Sequence, residues 1–204
     1  MINPTVLKGA GMKKILALAV LAFALMAAPA MAKEGFYIGG GMELNRIVGS
    51  DVDQWANGVG VDLKVGYNDS APRGQAGLEI DWFKTVHPGK TGYVDATLSG
   101  LSVNLKLFIT EAKAPIEVYL LAGYGFFKID FDHADAFGYT GLLGKGVNLG
   151  IGFEVSITEH IALNVGGTYR FITYNKATDS VGTVHIAELN GDMLSLYGGF
   201  NIYF

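Results

Sequence analysis

The sequence predicts an all-β protein: an eight-stranded antiparallel up-and-down transmembrane β-barrel, preceded by a cleavable signal peptide. Three observations lead there. The chain holds 29 Gly and 50% apolar residues but only 17% charged residues, against roughly 25% in soluble domains. Beyond the N-terminus no run approaches the roughly 18 apolar residues of a spanning helix, so a membrane chain of this kind must span as a closed barrel. Apolar and polar residues also alternate with period two in segments joined by alternately short and long connections, as in a membrane barrel.

The first element is a secretory signal. Lys13-Lys14 precede an apolar run from Ile15 to Met26, and Ala30-Met31-Ala32 supplies small residues where a signal peptidase reads. Residues 1–32 are therefore expected to be removed, leaving residues 33–204 as the barrel domain. Nothing before Met12 is signal-like, so Met12 is an alternative start. Removal takes Lys8, Lys13 and Lys14 and no acid, moving the formal charge from −4 to −7. An acidic mature chain argues against nucleic acid as a partner. The absence of cysteine means that no disulfide is needed for folding.

The expected strands are 35–45, 58–67, 74–84, 96–109, 116–129, 145–156, 161–174 and 191–204. Each is long enough to cross a hydrocarbon layer when tilted. The segments after the second, fourth and sixth strands (68–73, 110–115 and 157–160) are turn-like, whereas the others are longer and more polar. A sandwich has no reason to obey that parity.

One face of these strands is free of charge: Val59, Val61, Leu63, Val65 and Tyr67; Leu101, Val103, Leu105, Leu107 and Ile109; Val147, Leu149, Ile151, Phe153 and Val155. This is the expected lipid face. Phe36, Tyr67, Phe153, Phe200 and Phe204 collect at the short-turn ends, and Trp82, Tyr124, Phe126, Tyr169 and Phe171 at the other ends, as aromatic belts do at headgroup boundaries. The opposite face carries Glu43, Asp62, Lys64, Glu79, Asp81, Asn104, Lys106, Glu117, Glu154, Arg170 and Asn201. These form the expected lumen network. Antiparallel adjacency brings Glu79 near Lys64 and Lys106, and Glu43 and Arg170 lie deeper toward the long loops. Eight strands enclose a space just wide enough to be filled by side chains, so the expectation is an ionic plug, with a gated small-ion path as the alternative.

The signal segment, the opening Gly35-Phe36-Tyr37-Ile38-Gly39-Gly40-Gly41, the strand Leu120-Leu121-Ala122-Gly123-Tyr124-Gly125 and the terminal Phe204 together resemble the small eight-stranded outer-membrane β-barrel family of OmpX-like, Ail-like and OmpA-type transmembrane domains. The resemblance covers the whole mature chain. It implies export through the periplasm to the outer membrane of a Gram-negative-type bacterium. It also implies contact with outer-membrane lipid and lipopolysaccharide, and recognition of Phe200, Ile202 and Phe204 by the barrel-assembly machinery. A monomer is expected, with any surface ligand bound through the loops.

Catalysis and cofactors find little support in the sequence. Lipid A deacylases and palmitoyltransferases exist on such barrels. The deacylase pattern has a serine two residues after its histidine, whereas His160 is followed by Ile161-Ala162 and His185 by Ile186-Ala187. Gly144-Lys145-Gly146 and Gly89-Lys90-Thr91 suggest phosphate loops, but Tyr139 and Lys84 stand where the first glycine is needed and neither opens a helix. Asp130, Asp132 and Asp135 are weak metal candidates, since Ala134 interrupts the calcium-loop pattern. The expected function is therefore non-catalytic, without cofactor: envelope integrity or surface interaction through the loops. The alternatives are a narrow gated channel for ions or small apolar solutes and, further off, a lipid A-modifying enzyme. Residues 183–189 alternate in character and are expected to extend the last hairpin beyond the membrane.

Overall fold

Residues 34–48, 54–71, 74–110, 114–133, 138–182 and 184–204 are described by the structure, a computed structural model. The expected signal segment, Asp135 and the first part of the loop after the first strand lie outside them. The elements are β1 (Gly35–Val48), β2 (Gly58–Ala71), β3 (Gly74–His87), β4 (Ala96–Phe108), β5 (Ile116–Phe131), β6 (Tyr139–Ser156), β7 (Ile161–Asp179), β8 (Val184–Asn190) and β9 (Asp192–Tyr203).

Each strand pairs antiparallel with its neighbour from β1 through β7, and β9 closes the ring by pairing with β7 on one side and β1 on the other. The result is a closed eight-stranded antiparallel barrel. β8 continues the wall above β9, pairing with the far end of β7 between Thr173 and Thr178. The eighth strand is thus interrupted at Gly191, and the polar stretch after Tyr174 forms a tall hairpin rather than a loose loop. β6 likewise starts at Tyr139, six residues earlier than the sequence pattern indicates. Gly141, Gly144 and Gly146 carry it upward through two register shifts against β7. A strand crosses the hydrocarbon in roughly 9–11 residues. β6 and β7, with 18 and 19 residues, therefore project well past the membrane on the long-loop side.

Alternation sorts the side chains. Outward positions on β2, such as Leu63, and on β4 from Leu101 to Leu107 are exposed, and both expected aromatic belts point outward. Val155 differs from the expectation. It is buried, and so are its neighbours Glu154 and Ser156. Val155 is paired with Ile116 of β5 and Leu163 of β7, and the alternation ends there, where β6 reaches its turn.

Candidate functional site

The inward face builds the lumen in layers. Nearest the short turns, Lys106 on β4 is fully buried between two carboxylates. Its Nζ lies 2.8 Å from Glu79 Oε2 and 3.1 Å from Glu154 Oε1, and it donates to Tyr37 Oη at 3.0 Å. The Tyr37 and Tyr203 hydroxyls donate to Glu79 and Glu154, and Asn201 Nδ2 donates to Glu154 Oε1. Strands β1, β3, β4, β6 and β9 are thereby tied across the lumen. The tyrosine rings fit because glycine faces them: a Cβ at Gly66 would strike Tyr37, and one at Gly152 would strike Tyr119. Such contacts explain inward glycines that contribute no side chain of their own.

Above this layer, Tyr119 donates to Asn164 Oδ1 at 2.8 Å and shares a hydrogen bond with Tyr197. Lys64 sits 3.6 Å over the Tyr197 ring and 3.0 Å from Asp62, a residue of its own strand. Higher still, Arg170 on β7 reaches Glu43 on β1 at 2.7 Å and Asp81 on β3 at 3.3 Å, and it also donates to Ser195. Its guanidinium stacks over Phe83, 4.3 Å from the ring centroid. Glu117 and Asn104 also point inward and are buried. Charges removed from water at this depth are tolerable only when paired and hydrogen-bonded, and the layers meet that condition for both bridging cations. The recess between Asp62, Lys64, Asn164 and Asn201 is too narrow to admit a water molecule.

The upper lumen is apolar, a feature that a reading confined to charged positions does not bring out. Phe83, Leu98, Phe127, Ile129, Ile172 and Met193 form a buried cluster above Arg170. The signal was present in the inward register itself. Continuing by twos from Glu79 and Asp81 gives Phe83, and continuing from Tyr119 and Leu121 gives Phe127 and Ile129. Trp55, just before β2, joins this cluster. It bridges to Gly89, donates to the Val94 carbonyl at 3.0 Å and stacks on Phe131. His87 is buried beside it. The Ala56 carbonyl can only accept, so the Nδ1–H donates to it at 3.1 Å and Nε2 accepts from Thr85 Oγ1 at 3.0 Å. The first and second long loops are thus strapped together over the barrel mouth.

The remaining candidates are dispersed. Asp130 forms an exposed ion pair with Lys128, 2.7 Å apart, and the Asp132 amide donates to the Asp95 carbonyl. Among the described residues no three metal-capable side chains come together. His133 and His160 are exposed and lie at opposite ends of the barrel. Phe200 and Ile202 face outward from β9, and Phe204, just beyond it, donates its amide to the Phe36 carbonyl at 3.0 Å.

Comparison with known proteins agrees with this architecture. Neisserial surface protein A is 16% identical over 83% of this chain and 97% of its own, with a TM-score of 0.57. OprG from Pseudomonas aeruginosa is 16% identical over 86% and 99%, with a TM-score of 0.56. Ail, the attachment invasion locus protein of Yersinia pestis, is 16% identical over 83% and 99%, with a TM-score of 0.50. At these identities the likeness is one of fold. No curated protein matches the sequence. The family model for the outer membrane protein beta-barrel domain matches residues 15–202, nearly the whole chain, and the protein belongs to that family.

Proposed function

We propose that this protein is a non-conducting, non-catalytic barrel that supports the outer membrane through its lipid-facing wall and extracellular end. The closed lumen carries this reading. Lys106 between Glu79 and Glu154, Arg170 between Glu43 and Asp81, and the apolar cluster above them occupy the space a solute would need. What remains available to partners is the outer wall, the tall β7–β8 hairpin and the strapped loops. Ail, of similar fold, is named the attachment invasion locus protein and Neisserial surface protein A a surface protein, which favours a role at the cell surface. Outer-leaflet lipid is the nearest partner, reached without any loop rearrangement.

Loss of the gene tests this directly. The expected outcome is greater sensitivity to detergents and bulky apolar antibiotics, with uptake of small hydrophilic solutes unchanged. Slower uptake of a small solute with an intact detergent barrier would favour a channel instead. Unaltered lipid A masses in the deletion strain are expected for a protein that does not modify lipid.

A further inference from the structure

The outward faces of β5, β6 and β7 carry an arrangement that the lumen does not use. Lys128 of β5 lies opposite Leu143 of β6, and Leu143 lies opposite Lys176 of β7, so the two lysines flank one leucine in a single row. Lys145 stands two residues below Leu143 on the same face, opposite Phe126 and Thr173. All three lysines are exposed. Neighbouring strands are about 4.8 Å apart, which sets the row about 10 Å wide, within the joint reach of three lysine side chains.

An aromatic band lies immediately below on the same wall. Phe126 sits beside Lys145, Tyr124 and Phe171 flank Val147, and Tyr169 is opposite Leu149. The rings pack in pairs, Tyr124 with Phe126 and Tyr169 with Phe171. Outward aromatic residues mark the boundary between hydrocarbon and headgroups. The lysine triangle therefore stands at the level of the outer-leaflet headgroups.

The geometry points to a binding site for a phosphorylated glycolipid of the outer leaflet on the β5–β6–β7 wall, with Lys128, Lys145 and Lys176 holding its phosphates and the aromatic band packing its acyl chains. Three cations spread over three strands above four rings suit a lipid with several phosphates and chains better than one with a single phosphate. Asp130 pairs with Lys128 of this cluster; that pair is half-exposed, weak, and open to displacement by phosphate. Asp192, at the edge of the band, already accepts from the Tyr169 hydroxyl. On the opposite wall Arg46 and Lys84 also face outward, but they lie on β1 and β3, strands that are not adjacent.

This site rests on the lipid-facing part of the proposed function, and the two fail separately. A wall that binds no glycolipid removes the site, whereas conduction through the lumen removes the broader reading. The test uses the full refolded chain in phosphatidylcholine nanodiscs carrying bisphosphorylated lipid A, with retained lipid counted by native mass spectrometry. Folding is verified by heat-modifiable gel mobility. At roughly fivefold per lysine beside an anionic surface, the combined Lys128→Gln, Lys145→Gln and Lys176→Gln variant should bind on the order of 100-fold more weakly. The pair Arg46→Gln and Lys84→Gln should stay within about threefold of the parent, because it leaves the triangle intact. If the triple variant folds poorly, Lys145→Gln alone should lose about fivefold while Lys145→Arg keeps binding. Unchanged binding by the triple variant, or by Lys145→Gln in its place, would overturn the proposal. So would an equal loss in the opposite-wall pair, or equal binding of dephosphorylated lipid A or of phosphatidylglycerol.

Discussion

Lys106 is the residue on which the lower lumen turns. It is fully buried, and its ammonium satisfies carboxylates from two strands that do not pair with each other. Lys106→Met keeps the volume but leaves Glu79 and Glu154 facing without a cation between them. Breaking a buried pair in this way costs about 3–5 kcal/mol, and the loss is expected in urea unfolding from lipid vesicles. An unchanged midpoint would mean that the tyrosine and asparagine donors carry the carboxylates alone. The sequence shows which side chains enter the lumen, because period two leaves no other choice for Glu43, Asp62, Lys64, Glu79 or Arg170. It does not show which partners they take across the barrel. Glu154 meets Lys106 from a strand two positions away around the ring, and Asp81 shares Arg170 with Glu43; both depend on how far each side chain reaches into a narrow space.

At the scale of elements, glycine placement and loop strapping decide whether the barrel can close. Gly152→Val puts side-chain atoms where the Tyr119 ring lies, so β6 or the ring must move. Overpacking of this kind costs about 1–3 kcal/mol, and a matching drop in unfolding midpoint is expected. The cap over the mouth is predicted to respond to acid. Burial pushes the His87 imidazole below its ordinary value, against the pull of the Ala56 carbonyl in the other direction. A histidine whose folded-state value is depressed adds stability that is present above the unfolded value of roughly 6.5 and is lost as pH falls through the folded value. With Trp82→Phe leaving Trp55 as the reporter among the described residues, its emission should shift red as pH drops below that range. His87→Asn should flatten the transition, and an unaltered transition would assign it to another group. Little of this cap was legible beforehand. Trp55 and His87 lie where the alternation ends, and only folding of the loops brings them together. The upper parts of β6, β7 and β8 were legible only in part, because Gly141 and Gly144 precede the expected strand start at 145 yet sustain β6, and Gly191, expected to open the last strand, instead interrupts it.

For the whole molecule, architecture was the most legible level. The alternation, the parity of connection lengths and the charge-free outer face each follow from closing a sheet in lipid, so they appear together in the sequence. Function was less legible because it depends on what fills the lumen, and its apolar upper half becomes apparent only when Phe83, Phe127, Ile172 and Met193 are seen to converge. With ionic layers below and an apolar cluster above, the barrel should behave as a solid pillar in the membrane rather than a pipe. Conductance across a planar bilayer holding the refolded protein tests this claim most directly. A baseline no different from bare lipid is expected across the applied voltage range. Reproducible unitary conductance steps from the unmodified protein would contradict it.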